Sequence, residues 1–433
     1  MGQFKIKGTP KRGLLGTTLG FFFGFAAVSL YGPTAIKFKE AMDLSPALMG
    51  LLVAIPALSG SLLRIPFGAW VDITGGRKPF LILLGLSVIG LGGVTLLLNV
   101  AYPAHMHGLY GFILLLGMLS GCGIATFSVG IGQTSYWYPV KKQGMALGTY
   151  AGLGNLAPGL FSLILPLYLQ RFGFISAYFA WFLFLLTGTI VYAFTGTNSY
   201  YFQFRKSGKS ETESVAEARK LGQELFPSYS VRESLISSAK TKNTWKLVAL
   251  YFTTFGGFIA LTAWFPIYWS QFHGFSPLKA GVFTAVFSLL ASGFRIVGGA
   301  FSDRVGGEKT SMLSMFLVLL ASVMLVYAQK TGIGIFAVIL LASGMGVNNA
   351  AVFKLVPHFV PRAIGGAAGW IGGIGAFGGF VIPPLMGEIV NIYGKTGYSK
   401  GFAIFILLAI FNLLIIFGLL KSANNQFRNG SVK

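Results

Sequence analysis

Apolar residues run along this chain in blocks, each long enough to cross a bilayer as a helix of about 20 residues, with short polar connections between them. The blocks lie near 14–36, 46–71, 79–98, 110–136, 144–169 and 176–197. A polar stretch follows, about 198–245, and the blocks resume near 246–269, 277–301, 310–328, 332–356, 364–390 and 401–420. In hydrocarbon every backbone N–H and C=O must be paired within the segment, so each block is predicted to be a transmembrane α-helix. The fold class is therefore all-α and polytopic: an N-terminal six-helix bundle (1–197), a cytoplasmic linker (198–245) and a C-terminal six-helix bundle (246–433). Within the linker, ETESVAEARKLGQELF has two readings, a short amphipathic helix at the inner membrane surface or a solvated tether that only joins the halves. The first residues, MGQFKIKGTPKRGLLG, are basic ahead of an apolar run but show no clear cleavage site, and the run is long enough to span, so it is read as the first helix.

Composition supports this reading. Hydrophobic residues make up 54% of the chain and charged residues 10%, against about 25% charged in an ordinary soluble domain. The 60 glycines suit membrane helices, where small residues let backbones touch. The net charge of +22 comes from basic residues scattered between apolar spans, with no arginine-rich arm, so nucleic acid is excluded as a partner. On one side of the membrane the connections hold only Lys37, Lys39, Arg171, Lys279, Lys330, Lys395 and Lys400; nearly all the other basic residues fall on the side of the termini and linker. Positive charge stays in the cytoplasm, so both termini are expected there, in a protein of the plasma membrane. Cys122 is alone and allows no internal disulfide, and the four histidines lie in or beside short connections. No metal and no cofactor is expected. No Ser-His-Asp arrangement or phosphate-binding loop falls in the spans, which argues against an enzyme.

Two stretches repeat. RIPFGAWVDITGGRK (64–78) returns as RIVGGAFSDRVGGEK (295–309), at the cytoplasmic end of the second helix of each half. Gly68 and Gly299 permit close helix contact, Asp72 and Asp303 can face the positive N-terminus of a neighbouring helix, and Arg77, Lys78 and Lys309 hold the loop inside. The pattern resembles the signature of the major facilitator superfamily, G-x-x-x-D-x-x-G-x-R-K, between helices 2 and 3. The first copy matches it fully, and the second has Glu308 in place of the arginine. The resemblance implies the major facilitator fold, two pseudo-symmetric bundles around a midplane substrate site opened alternately to either side.

A second repeat is richer in glycine. GMALGTYAGLGNLAPG begins at 144, and GGAAGWIGGIGAFGG spans 365–379. Gly144, Gly148 and Gly152, and likewise Gly365, Gly369 and Gly373, recur every four residues. That spacing places each ladder on one helix face, a flat surface for close approach of another backbone. The first copy carries Asn155 where the second has Ala376. This pair resembles the signature of the nitrate/nitrite porter family, with such runs in helices 5 and 11, as do YFTTFGGF in helix 7, ATFSVGIG in helix 4 and NNAAVFKLVP in helix 10.

Arg64 and Arg295 stand inside spans, where an arginine costs at least about 2.5–3.5 kcal/mol. Snorkelling to the headgroups is the ordinary explanation. However, none of the 11 acidic residues falls in the middle of a span; Glu388 comes nearest. Two cations without a fixed counter-ion call for a transported anion, and guanidinium forks suit planar oxyanions. The resemblance implies that Arg64 and Arg295 grip the anion, that Asn155 donates a hydrogen bond, and that Tyr251, Phe255 and Phe127 with Gly152 and Gly373 complete the site. Each aromatic has ordinary core packing as its alternative, and Lys354 is read at the inner end of helix 10. The expected partners are nitrate, nitrite and the lipid bilayer, for a chain acting as a monomer. Nitrate/nitrite exchange is favoured over proton-coupled nitrate symport because no titratable group falls in the pathway. A formate/oxalate-type exchanger and a non-transporting anion receptor are the rivals.

Overall fold

The computed structural model describes residues 6–26, 28–227, 231–360 and 364–428; the surroundings of Asp303, Gly144 and Gly365, all singled out above, fall outside it. Among the described residues twelve helices are long and apolar enough to cross a membrane. They are Pro10–Met42, Pro46–Thr74, Arg77–Ala101, Tyr110–Trp137, Ala146–Phe172 and Phe174–Thr195, then Lys242–Gln271, Pro277–Ser302, Gly307–Tyr327, Thr331–Val356, Gly366–Lys400 and Ala403–Leu420. Each coincides with one of the apolar blocks, because a chain in hydrocarbon has no other way to pair its backbone. The linker helix is present as Glu211–Lys220, opened by a capping box in which the Ser210 hydroxyl accepts from the Glu213 N–H and the Glu213 carboxylate accepts from the Ser210 N–H.

Several spans are broken near their middles. The second runs Pro46–Leu62 and restarts at Arg64; the fourth tightens to a 3₁₀ turn at Gly121–Ala125. The fifth breaks at Asn155, the seventh widens into a π-turn at Phe252–Gly256, and the eleventh stops at Ile374 and restarts at Gly378. These breaks free backbone groups and re-aim side chains inside the membrane, which is tolerated only where neighbouring protein or a polar cavity satisfies them.

The first and last six spans meet tightly at the end away from the linker. A Cβ added to Gly50 would lie 2.5 Å from the Pro383 carbonyl oxygen, and one on Gly32, Gly281 or Gly387 would strike the carbonyl of Ala263, Ser162 or Pro46. There glycine is required because backbone meets backbone. Toward the linker the fifth and eighth spans part: Gly148, Gly152 and Gly293 have nothing within 4 Å of where a Cβ would stand. The glycine ladder of the fifth span therefore faces an open cleft, whereas the sequence reading gave it a close backbone neighbour. In the eleventh span, Gly369 meets the Leu235 side chain of the linker helix Val231–Lys240 and Gly373 meets Ile65, so that ladder does serve close contact.

The repeated loop motifs differ in detail. Gly75, with φ of 75°, and Gly76 leave room for Asn198 and Gln133, whose side chains a Cβ would approach to 2.5 Å. The Asn198 side chain accepts from the Arg77 N–H at 2.9 Å and donates to the Thr74 carbonyl at 3.0 Å, while the Arg77 guanidinium donates to the Ala193 carbonyl at 2.9 Å. Asp72 accepts from the Tyr136 hydroxyl near the C-terminus of its helix, a partner different from the helix N-terminus expected of it. Lys78 lies over the Trp70 ring, and Lys309 is exposed. Gly68 packs against Ser128; in the second copy the tight position is Gly298, 2.5 Å from the Val347 Cα, and Gly299 makes only ordinary contact with Ala350.

Candidate functional site

The helix breaks converge on the two arginines. Arg64 opens the second half of its span, and its side chain is 1% exposed. Its Nε donates to the Gly60 carbonyl at 3.0 Å and Nη1 to the Gly372 carbonyl at 3.1 Å. The break in the eleventh span leaves Gly372 without an intrahelical donor, so the guanidinium ties the first half of the chain to the last. Nη2 is buried without a partner. The guanidinium carbon stands 4.9 Å from the Phe127 ring centroid and 5.2 Å from that of Phe255. Here the ring faces meet the cation, an arrangement worth about 0.5–2 kcal/mol against the cost of burial, and the in-plane N–H groups are left to donate elsewhere.

Arg295, half-buried, reaches Phe255 from the eighth span, its guanidinium carbon 5.8 Å from the ring centroid. Its Nη2 donates to the Tyr251 hydroxyl across 3.5 Å, a long bond. Both guanidinium groups thus stand against Phe255, and the two like charges repel each other. The π-turn sets this up: Tyr251 and Phe255 stack at 4.8 Å with their planes 14° apart. Neighbouring amides hold that turn. Asn348 donates to Thr254 Oγ1 at 3.1 Å and Asn412 to Thr253 Oγ1 at 2.6 Å. Among the described residues no carboxylate lies within ion-pair distance of Arg64 or Arg295.

A cavity of ≈ 20 Å³ adjoins Arg295, lined among others by Gly152, Asn155, Phe255, Ser292 and Asn349. That volume holds about one water-sized molecule. Arg64 stands against Phe255 but is not among the residues that line the cavity. Gly373 is one residue beyond the carbonyl that Arg64 uses and packs on Ile65, at the contact of the second and eleventh spans and not in the cavity wall. Phe127 also sits behind the wall, against Arg64 and 6.3 Å from Phe255 between centroids. Lys354 is exposed toward the linker end of its span. Among the described residues no cluster of three or more His, Cys, Asp or Glu is placed to hold a metal.

The sequence reading gave no role to Ser292, Asn348, Asn349 or Asn412. The signal for the asparagines was present, as amides inside apolar runs. Only the fold separates those that clamp a helix from those that face the cavity.

The family described as Major Facilitator Superfamily matches residues 17–383. Among curated relatives, a probable nitrate/nitrite antiporter of Thermus thermophilus is 28% identical over 95% of this chain and 93% of its own. A probable nitrate transporter of Staphylococcus haemolyticus is 28% identical over 92% and 93%, and a nitrite extrusion protein of Bacillus subtilis is 26% identical over 89% and 88%. Among solved structures, the xylose transporter XylE from E. coli, in a partially occluded inward open conformation, superposes with a TM-score of 0.73 at 15% identity, covering 94% of this chain and 97% of that one. That likeness concerns the fold alone.

Proposed function

From the premise that this chain belongs to the Major Facilitator Superfamily and is an integral membrane transporter, we propose that it carries nitrate and nitrite by alternating access. The bundles 1–197 and 246–433 rock about the site, with both termini and the 198–245 linker in the cytoplasm, the side favoured by the distribution of Lys and Arg. The observation that carries the reading is a pair of guanidinium groups against one phenyl ring, beside a cavity of ≈ 20 Å³, with no carboxylate in ion-pair reach among the described residues. A site of this size and charge selects a small anion. Planar oxyanions match the arginine fork, two N–H donors to two oxygens. The names of the relatives support nitrate and nitrite within that class.

Exchange is the mode we favour. With no cargo, the charge of Arg295 faces the cavity, that of Arg64 stands nearby against the same phenyl ring, and together they oppose closure; either anion relieves this, and the loaded site then crosses. Among the described residues, no carboxylate or histidine lines the cavity to carry a proton. Proteoliposomes loaded with nitrite and given external nitrate test this. Counterflow without a change in internal pH is expected, and proton movement proportional to nitrate uptake would replace exchange by symport. Competition by formate, oxalate and chloride decides the anion. Oxalate displacing nitrate at equal concentration would move the assignment to a carboxylate exchanger.

A further inference from the structure

We propose that Asn349 is a direct ligand of the transported anion, supplying from the tenth span the amide that the eleventh span lacks; this rests on the anion-transport reading above. The glycine-rich repeats left an asymmetry, Asn155 in the fifth span against Ala376 in the eleventh. The fold restores the balance from another helix. Asn155 and Asn349 line the same cavity, are 5% and 3% exposed, and have Oδ1 atoms buried without a hydrogen-bond partner.

Its neighbour differs at the nitrogen end. Asn348 also has its Oδ1 buried without a partner, but its amide nitrogen is engaged, donating to Thr254 Oγ1 at 3.1 Å. Two successive residues on a helix face about 100° apart, so one amide clamps the π-turn and the next faces the cavity. The rotation of the span is fixed by backbone contact. A Cβ on Gly298 would lie 2.5 Å from the Val347 Cα, and one on Gly346 would strike the Ala291 carbonyl. Asn349 is thereby held beside Ser292 and Arg295.

A buried amide with no protein partner is costly unless a ligand or water meets it. The Asn349 Oδ1 has no protein partner among the described residues, so the amide is free to turn its N–H₂ toward an anion. Nitrate presents three oxygens around its rim and nitrite two. A donor beyond the two arginine forks therefore favours nitrate over nitrite, and Asn349 is a specificity-determining contact.

The test measures nitrate and nitrite binding to the purified full-length protein by thermal stabilisation, alongside uptake into proteoliposomes, for wild type, Asn349→Ala and Asn349→Ser. Asn349→Ala is expected to keep the ligand-free melting temperature, to weaken nitrate roughly tenfold or more, the loss typical of a hydrogen bond to a charged group, and to weaken nitrite several-fold less. Asn349→Ser, with one short donor, should fall between. Wild-type nitrate affinity in Asn349→Ala, or equal losses for the two anions, would overturn the assignment. Should the alanine variant not fold, the serine variant decides by the same split. A wild type that nitrate does not stabilise overturns the anion reading itself; a responsive wild type matched by Asn349→Ala overturns only the role of Asn349.

Discussion

Arg64 and Arg295 solve the same problem differently. Arg64 gives its face to Phe127 and Phe255 and two of its donors to carbonyls, and keeps Nη2 unspent; among the described residues Arg295 meets Phe255 and makes a long bond to Tyr251. A lysine in either place keeps the charge and loses the planar fork. Arg64→Lys and Arg295→Lys are therefore expected to insert and fold yet lose roughly 10–100-fold in nitrate uptake, the equivalent of one charge-assisted hydrogen bond. Tracer uptake normalised to folded protein checks it, and normal uptake by both variants would remove the binding role. Phe127 predicts a separate loss. Phe127→Leu keeps most of the apolar volume but removes one of the two rings from the guanidinium, at a cost of about 1–2 kcal/mol. A lowered melting temperature is expected, and Phe127→Tyr, which restores a ring face, should recover it. The arginines were legible in the sequence because a charge inside an apolar run is expensive and has to be explained. The aromatics were legible as neighbours but not in orientation, since edge or face depends on which side chain arrives opposite.

At the scale of elements, the twelve spans could be read from the sequence and their interruptions could not. Length and apolarity determine a membrane helix because hydrocarbon offers the backbone no alternative. An interruption is decided by partners far along the chain, as at Phe252–Gly256, where Asn348 and Asn412 bond the two threonines of the turn and Gly256 packs on Gly378. Nothing within YFTTFGGF announces those partners. The same holds for the glycine ladders, whose spacing of four predicts a flat face but not whether that face meets a helix, as at Gly373, or a cleft, as at Gly148. If the two amides act together to shape the π-turn, Asn348→Ala and Asn412→Ala should not add. Each alone is expected to cost about 1 kcal/mol. The double variant should lose less than the sum in melting free energy, because the turn is already released after the first substitution. Transport should fall in both single variants although neither asparagine lines the cavity. Strict additivity with undiminished transport would mean that the turn is set by its own backbone.

At the scale of the molecule, two seams compete. Away from the linker the seam is closed backbone to backbone, at Gly32 on Ala263, Gly50 on Pro383, Gly281 on Ser162 and Gly387 on Pro46; toward the linker the fifth and eighth spans stand apart at Gly148, Gly152 and Gly293. Alternating access requires that one seam close as the other opens, so the tight glycines are the latch of the state described here. Gly281 is the most informative of them. Any side chain there meets the Ser162 carbonyl and the Pro166 ring, and neither can retreat, because the first is backbone and the second is rigid. Gly281→Leu should therefore hold this seam open and bias the molecule toward the opposite state. The reporter is Gly148→Cys, placed where a side chain has open space, in a Cys122→Ser background that removes the native thiol. In the reporter alone, a membrane-impermeant maleimide should label readily from the linker side. Adding Gly281→Leu should slow that labelling in proportion to the population it removes from this state. Labelling unchanged in a folded double variant would mean that the two seams move independently, and that the closed seam is packing and not a gate.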